Sequence, residues 1–359
     1  MDTRYRIATI PGDGIGSEVV PAAVEVLERA GSHFGIRLEW TELEWSCEYY
    51  ARTGRMMPED GLDVLREHDQ IFLGAVGYPG VPDHVSLWGL LIPIRRTFRQ
   101  YVNLRPVTLL PGIESPLRAV PAGGLDFVVV RENNEGEYSE VGGRISRGTP
   151  DEAAMQQAVF TRRGVERVMR YAFDLARSRK GRLASATKSN GIIHSMPFWD
   201  EIFRELGAAH PDVKTSEYHI DALAALFVLD PTRFDVVVAS NLFGDILTDL
   251  GAAIIGSIGF APSANLNPER EFPSMFEPVH GSAPDIAGTG RANPIGQVWA
   301  GAMMLEHLGH ADAAAAVIGA VSHVLAETGV RTRDLGGTAS TQEMTAELLK
   351  ALDQEVAAR

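Results

Sequence analysis

Apolar runs alternate with amphipathic segments along the first third of the chain. A β-branched run at 6–10 precedes the turn PGDGIG at 11–16, and apolar positions then recur at helical spacing over 17–30. The same alternation predicts further strands near 37–43, 70–73 and 101–106 and further helices near 59–67 and 88–99. Strands that alternate with helices are typical of an α/β fold.

The middle of the chain contains apolar runs with little alternation, at 126–130, 182–187 and 234–239. Such runs are expected where both faces of a sheet are covered, so we predict a buried sheet here. The segment 135–157 is rich in glycine and polar residues and is too long for an ordinary connection. It predicts a projecting hairpin or an arm between subunits. The C-terminal stretch 294–357 has amphipathic helical patterns.

Length, charge and cysteine content narrow the class of protein. A chain of 359 residues exceeds the usual size of one hydrophobic core, so two subdomains sharing a cleft are expected. The formal net charge of −14 opposes binding to nucleic acid or to an anionic membrane. No apolar run is long enough to span a membrane and no signal pattern opens the chain, so we expect a cytoplasmic protein. The single cysteine, Cys47, excludes an internal disulfide and is predicted to be a structural thiol.

Three arginines stand at the ends of predicted elements: Arg95, Arg105 and Arg131. A protein this acidic must gather arginines locally if its ligand is an anion. Guanidinium groups bind carboxylates through paired hydrogen bonds, so the three could converge on a carboxylate substrate. Taken singly, each arginine would more often form a surface salt bridge.

Asp245 and Asp249 lie four residues apart in SNLFGDILTDLG and would share one helix face. Like charges at this spacing repel each other unless a cation lies between them. A third carboxylate, Asp221, could complete a set of oxygen ligands that suits Mg²⁺ or Mn²⁺. A solvated surface pair is the alternative for Asp245 and Asp249.

Two glycine-containing segments are candidates for cofactor contact. PGDGIG lacks the third glycine of a dinucleotide loop, because Ser17 stands there, and it is equally well a plain turn. FEPVHGSAPDIAG at 276–288 could surround adenosine, with Asp285 accepting hydrogen bonds from ribose hydroxyls. Alternatively, Ser282 and Asp285 could cap the start of a helix. Tyr138 and Lys188 are unremarkable by spacing alone.

A series of motifs runs along nearly the whole chain: PGDGIG, NLRPV, VVVREN with EGEY, SATKSNG, YHIDALA, ASNLFGDILTD and FEPVHGSAPDIAG with ANPIG. In this order they resemble the β-decarboxylating dehydrogenase family, which includes isopropylmalate and isocitrate dehydrogenases. SMPFWDE, SLWGLLIPIRR, QYVNLRPV, FTRRGVER and APSANLNPER are most similar to the branch that acts on tartrate and D-malate. Asn134 departs from that branch, where threonine is expected.

The resemblance implies a two-domain α/β fold with a central mixed sheet flanked by helices, and not a standard Rossmann fold. It implies a large cofactor-binding domain from residues 1–100 and 255–359, and a small domain from 101–254 with the dimer interface and the arm. It also implies a homodimer with shared active sites, in which Lys188 and Asp221 serve the neighbouring subunit. A monomer should then be inactive.

The resemblance also implies a role for each matching residue. Arg95, Arg105 and Arg131 would bind the carboxylates of a C4 hydroxy-dicarboxylate, and Asp221, Asp245 and Asp249 would hold Mg²⁺ or Mn²⁺, with K⁺ as a further candidate ion. Lys188 would help remove the C2 hydroxyl proton and Tyr138 would protonate the enolate after decarboxylation. Residues predicted to contact NAD are Glu277, His280, Gly281, Ser282, Ala283, Asp285 and Asn293. NAD is expected over NADP, because a 2′-phosphate would face Asp285.

Substrate choice is predicted from the segment 87–95. In isopropylmalate enzymes a glutamate and two leucines surround the isopropyl group, whereas here Trp88 stands at the glutamate position beside Leu90 and Leu91. An indole could fill the space that a bulky substituent needs, which favours D-malate or tartrate. Packing of Trp88 in the core is equally compatible. An isopropylmalate dehydrogenase and a catalytically silent regulatory subunit stay open as alternatives, although Tyr138, Lys188 and the three aspartates speak against the second.

Overall fold

The computed structural model describes residues 3–118, 120 and 124–359. In the first part of the chain, strands are separated by one or more helices up to the strand Val102–Thr108, after which three more strands follow without an intervening helix. In chain order these elements are β1 (Thr3–Gly12), α1 (Gly16–Phe34), β2 (Ile36–Glu42), α2 (Cys47–Thr53), α3 (Gly61–Arg66), β3 (Gln70–Ala75), α4 (Asp83–Ser86), a π-helical turn (Leu87–Leu91), α5 (Ile92–Thr97), β4 (Val102–Thr108), β5 (Asp126–Glu132), β6 (Gly142–Ile145) and β7 (Ala153–Gln156).

The second half continues the alternation and ends in helices. Its elements are α6 (Arg162–Ser178), β8 (Arg182–Thr187), α7 (Ser195–Ala209), β9 (Lys214–His219), α8 (Ile220–Leu229), β10 (Val236–Ala239), α9 (Asn241–Ile254), β11 (Pro262–Leu266), β12 (Ser274–Pro278), α10 (Ile295–His307), α11 (Ala311–Glu327) and α12 (Thr341–Ala357). Short 3₁₀ turns lie at Pro231–Arg233, Ile258–Phe260 and Arg333–Leu335.

The helix predicted over 88–99 is interrupted. Residues 83–86 and 92–97 are α-helical, but Leu87–Leu91 adopts π-helical geometry between them. The proposed helix start at Ser282 is wrong, since 284–290 forms turns and no helix begins there. Ala283, Gly288 and Gly290 have positive φ angles, which are incompatible with a right-handed helix.

Contacts along the chain define two compact units. The first contains Met1–Gln100, Thr108–Arg118 and Ala252–Arg359, and the second contains Tyr101–Val107 and Ala119–Gly251. The expected division into domains at 100 and 254 differs from this at 108–118 and at 252–254, which belong to the first unit.

In the first unit the strand order is β2-β1-β3-β12-β11. β1 runs parallel to β2 and β3, and β12 runs parallel to β3, whereas β11 is antiparallel to β12. β3 is buried at every position, as is expected for a strand with both faces covered. Helices α1 and α10 pack against each other. The free thiol of Cys47 is buried in the core of this unit, as predicted.

In the second unit the strand order is β4-β5-β10-β8-β9. β10 is parallel to both β5 and β8, and β9 is parallel to β8. Helix α6 packs against α7 and against strands of this sheet. The predicted hairpin within 135–157 is present as the antiparallel pair β6 and β7, and each of its strand residues is exposed.

The predicted fold class is confirmed: helices flank a sheet that contains both parallel and antiparallel neighbours, in an α/β arrangement. Parallel strands have their carboxyl ends at one edge of the sheet, where ligands of α/β proteins bind. Arg131 lies at the carboxyl end of β5, and α9 follows the carboxyl end of β10. Within the described residues, no helix is long and apolar enough to cross a membrane.

Candidate active site

Arg131 at the end of β5 is anchored to the first turns of α9. Arg131 is paired with Ala239, the last residue of β10, so the start of α9 lies close to Arg131. Its Nε and Nη2 donate to Asn241 Oδ1 at 3.1 and 2.7 Å, and its Nη1 donates to Asp245 Oδ1. Arg131 is buried, and its charge is balanced by the Asp245 carboxylate.

Arg105 on β4 reaches the same face of α9. Its Nη1 donates to Thr248 Oγ1 at 2.6 Å and to Asp245 Oδ1 at 3.3 Å, and it lies 4.0 Å from Asp249 Oδ1. Two of the three predicted arginines therefore meet at Asp245. The third, Arg95 in the first unit, donates to Glu277 Oε1 at 2.9 Å.

Asp245 and Asp249 share one face of α9, as their spacing predicts. Burial, together with the nearby charge of Asp245, raises the pKa of Asp249, and Arg105 and Arg131 act against that rise. The side chain of Asp245 is 35% exposed and that of Asp249 is 62% exposed, so both carboxylates are accessible to solvent. Such hard oxygen donors fit Mg²⁺ or Mn²⁺.

Asp221 does not join these two aspartates within one chain. Among the described residues, no three acidic, histidine or cysteine side chains are grouped closely enough to hold a metal ion. Asp221, in the first turn of α8, instead accepts a hydrogen bond from Lys188 Nζ at 2.9 Å. This hydrogen bond holds the pKa of Asp221 below its usual value. Lys188 and Asp221 thus form a second, more exposed cluster in the same unit.

Tyr138 joins the cluster around Asp245. Its hydroxyl donates to Asp245 Oδ2 at 3.2 Å, and its ring centroid lies 5.7 Å from Cζ of Arg131. A phenol in contact with a carboxylate and a guanidinium can exchange a proton with a bound ligand. The structure therefore brings together Tyr138, Arg105, Arg131, Asp245 and Asp249.

The turn PGDGIG supports the loop that follows β12. The Ile15 amide donates to the Ser282 carbonyl at 2.9 Å. Gly14 has a φ of +57°, and a Cβ there would lie 2.1 Å from the Ser282 carbonyl oxygen, so the turn requires glycine at this position. Asp285 is exposed on the supported loop, so its carboxylate is accessible to hydrogen-bond donors from solution.

Several residues predicted to contact NAD have partners within the first unit. Glu277 Oε1 accepts hydrogen bonds from Arg95 and Asn265. Asn293 Nδ2 donates to Asp334 Oδ2 at 2.9 Å, and burial lowers the pKa of His280. Glu277 and Asn293 flank the loop that contains Gly281, Ser282 and Ala283.

The sequence did not reveal two aspartates whose carboxylates join separate loops. Asp13 accepts hydrogen bonds at 3.0 Å from the amides of Cys47 and Gly77, which ties together the connections after three strands. Asp334 accepts from Asn293, Ser257 and Thr332. The available signal for Asp13 was its place in a glycine-rich turn, where a carboxylate often binds backbone amides.

The π-helical turn presents Trp88 to the charge of Arg96. The Arg96 Cζ lies 5.2 Å from the Trp88 ring centroid, within the range of a cation–π interaction. Trp88 and Leu91 are half-buried, whereas Leu90 is fully buried in the core of the first unit. Trp88 and Leu91 therefore keep surface available for a ligand, and Leu90 does not.

The fold and these clusters define an α/β protein with arginines and carboxylates gathered at one site, and comparison with known proteins identifies the family. The model of the isocitrate/isopropylmalate dehydrogenase family matches residues 6–348, so the chain belongs to that family. Its members use NAD or NADP and a divalent metal ion.

Individual relatives are similar over nearly their whole length. A probable tartrate dehydrogenase/decarboxylase of Bacillus subtilis is 56% identical, over 97% of this chain and 98% of the relative. The D-malate dehydrogenase (decarboxylating) of Escherichia coli is 55% identical, over 98% and 99% of the two chains. The crystal structure of isocitrate dehydrogenase from Methylococcus capsulatus superposes with a TM-score of 0.88 at 35% identity, covering 97% of this chain and 99% of that chain.

Proposed function

We propose that this protein catalyses the NAD-dependent, divalent-metal-dependent oxidation and decarboxylation of D-malate or a related C4 hydroxy-dicarboxylate such as tartrate. The observation that carries the proposal is the cluster in which Tyr138, Arg105 and Arg131 meet the carboxylate of Asp245. The activities after which the relatives are named support the same substrate class.

The arginines are proposed to bind the substrate carboxylates. Arg105 and Arg131 are buried and are held by Thr248 and Asn241, so their guanidinium planes are fixed before a ligand arrives. Preorganised paired donors bind carboxylates with defined orientation. Arg95, in the first unit, is assigned the same role.

Asp245 and Asp249 are proposed to hold the divalent ion, with Asp221 contributed by a second subunit. When bound, a divalent ion stabilises negative charge that develops on the substrate oxygens. Asp221 lies in a cluster with Lys188, so the two residues would be contributed together.

Two side chains are proposed to move protons. Lys188, as its neutral amine, takes the proton of the C2 hydroxyl during oxidation, and its Nζ is kept in place by the 2.9 Å hydrogen bond that it donates to Asp221. Tyr138 returns a proton to the substrate carbon after carbon dioxide leaves, because its hydroxyl is held at the aspartate cluster.

NAD is proposed as the hydride acceptor in preference to NADP. Asp285 is exposed on the loop after β12, and a 2′-phosphate bearing about −1.5 to −2 charges would be repelled by its carboxylate. A ribose hydroxyl can instead donate a hydrogen bond to the same carboxylate.

A homodimer with shared sites is proposed from the apolar surface of the second unit. Val228 and Leu229 at the end of α8, and Leu242 and Ile246 on α9, are exposed. Large apolar side chains exposed at a surface are typical of subunit contacts. Helix α9 also carries the two metal-binding aspartates, and α8 begins at the Lys188 cluster, so a contact there would join two sites.

Steady-state kinetics of the purified protein with D-malate, the tartrates, isopropylmalate and isocitrate tests the proposal. We expect the highest kcat/KM with D-malate or a tartrate, with NAD over NADP, and loss of turnover in excess chelator that Mn²⁺ restores. Preference for isopropylmalate would assign the chain to the alternative branch. Absence of turnover with every substrate would favour a regulatory subunit.

A further inference from the structure

Glu137, the residue before Tyr138, is bound to the start of helix α9. Its Oε1 accepts a hydrogen bond from Ser240 Oγ at 2.8 Å, and its Oε2 accepts one from the Leu242 amide at 3.1 Å. Both carboxylate oxygens of Glu137 therefore contact the N-terminal end of the helix that contains Asp245.

The contact replaces an ordinary helix cap. The Ser240 carbonyl accepts the first helical hydrogen bond, from the Gly244 amide at 2.8 Å, so Ser240 occupies the N-cap position. At an N-cap, the serine hydroxyl normally accepts a hydrogen bond from an amide of the first turn. Here the Ser240 hydroxyl donates to Glu137, and Glu137 accepts the Leu242 amide in its place. A carboxylate at this end of a helix is also favoured by the helix dipole.

We propose that Glu137 is a positioning residue that sets Tyr138 relative to Asp245. The backbone of Tyr138 follows directly from Glu137, and Asp245 lies one turn after the amide that Glu137 binds. The 3.2 Å hydrogen bond between the Tyr138 hydroxyl and Asp245 closes this loop of contacts. The inference rests on the proposed role of Tyr138 as proton donor.

Glu135, two residues earlier, provides a matched control. Its Oε1 accepts a hydrogen bond from Thr161 Oγ1 at 2.7 Å, and its Oε2 accepts one from the Thr161 amide at 2.8 Å. Thr161 is the N-cap of α6, a helix that carries none of the proposed site residues. The side chains of Glu135 and Glu137 thus each accept two hydrogen bonds at a helix end from one loop, but at different helices. The backbone carbonyl of Glu135, which accepts from Asn241 Nδ2 at 3.3 Å, is retained in Glu135→Ala.

The test compares Glu137→Ala, Glu137→Gln and Glu135→Ala in the full-length protein with Mn²⁺ and NAD. Each alanine variant loses a helix-end contact, so both should show a similar fall in Tm. For Glu137→Ala we expect kcat on D-malate to fall about tenfold or more with KM changed less than twofold, because a misplaced proton donor affects turnover more than binding. Glu135→Ala should keep kcat within about twofold of the wild type.

Glu137→Gln distinguishes the effect of the hydrogen bond to the helix end from the effect of the negative charge of Glu137. Its amide oxygen can still accept the Leu242 amide, so most of kcat should return. Direct titration of Mn²⁺ into each variant provides a second readout, and we expect weaker binding in Glu137→Ala than in Glu135→Ala. Equal kcat and equal Mn²⁺ affinity in the two alanine variants would overturn the positioning role. Tyr138→Phe, measured beside them, distinguishes failure of the positioning role from failure of the proposed function. Near wild-type turnover in Tyr138→Phe would show that Tyr138 is not the proton donor.

Discussion

The two proposed proton-transfer residues lie in different clusters of one unit, Tyr138 with Asp245 and Lys188 with Asp221. Lys188→Met should therefore abolish oxidation of D-malate while Tyr138→Phe mainly slows the protonation that follows decarboxylation, each by about 10²-fold or more. NADH formation from D-malate, and pyruvate formation from the oxidised C4 acid, measure the two steps separately. Near wild-type rates for both variants in both assays would contradict the assignment.

Trp88 is held by the guanidinium of Arg96 at one side of the π-helical turn. The half-buried indole is expected to exclude a bulky C3 substituent, so Trp88→Ala should raise kcat/KM for isopropylmalate relative to D-malate. The change should correspond to about 1–3 kcal/mol, the usual discrimination of an apolar pocket. An unchanged ratio of kcat/KM values would show that Trp88 does not face the substrate.

At the scale of elements, the close approach of α9 to β5 depends on Gly244. A Cβ at this position would lie 2.6 Å from Cβ and 2.7 Å from Cγ of Arg131. Gly244→Ala should push α9 away from β5, separate Asp245 from Arg131, and reduce turnover of D-malate at least tenfold.

Gly207 in α7 is the matched control, because its added Cβ would make an ordinary 3.4 Å contact with Thr215 Cγ2. Gly207→Ala should keep full turnover and be as stable as the wild type or more stable by about 0.5–1 kcal/mol, since alanine favours a helix interior. Urea unfolding and steady-state kinetics check both variants. Full activity in Gly244→Ala would refute the packing argument.

Elements with strong periodicity were predictable, and elements that depend on tertiary packing were not. The strand 182–187 was predicted at its observed bounds, and the hairpin followed from the polar segment 135–157. The π-helical turn at Leu87–Leu91 was missed, because the spacing of apolar residues does not distinguish an α-helix from one with an extra residue in a single turn. The apparent cap at Ser282 failed because Ala283 takes a positive φ angle, which propensity does not reveal.

The sequence identified residues of the candidate site, but it did not identify the contacts that hold them in place. Spacing placed Asp245 and Asp249 on one helix face, and the family resemblance selected Tyr138 and Lys188. The partners that hold the site, such as Asn241 and Glu137, come from residues far apart in the chain or from backbone groups at a helix end. No local pattern reports such contacts, because they exist only once β5 and α9 have packed.

At the scale of the whole molecule, two buried titratable groups give opposite pH dependence. Burial, with a contribution from Arg270, lowers the pKa of His307 to about 4. Its stabilising effect is therefore full above its unfolded pKa, near 6.5, and is lost as pH falls towards 4. Burial raises the pKa of Glu132 to about 7, against hydrogen bonds from the Asn134 and Glu135 amides. Its ionisation lowers stability as pH rises from about 4.5 to 7.

If the protein unfolds in a single transition, His307 and Glu132 change its free energy of unfolding in opposite directions between pH 4.5 and 6.5. Each contribution is at most about 3 kcal/mol. Relative to the wild type, the free energy of unfolding of His307→Gln should fall as pH rises. The free energy of unfolding of Glu132→Gln should instead rise as pH rises. Urea unfolding at pH 5 and pH 6.5 measures both slopes. Parallel pH profiles for the wild type and both variants would show that neither group titrates as described.

The parallel pairing of β5 with β10 joins Val128 to Val236, more than a hundred residues along the chain. Such non-local pairs close late, because the entropy of the intervening loop must be overcome before any contact is made. Arg131 and Asp245 approach each other through this pairing. During refolding from denaturant, helix content should therefore return in an early kinetic phase, and catalytic competence should return with the slowest one.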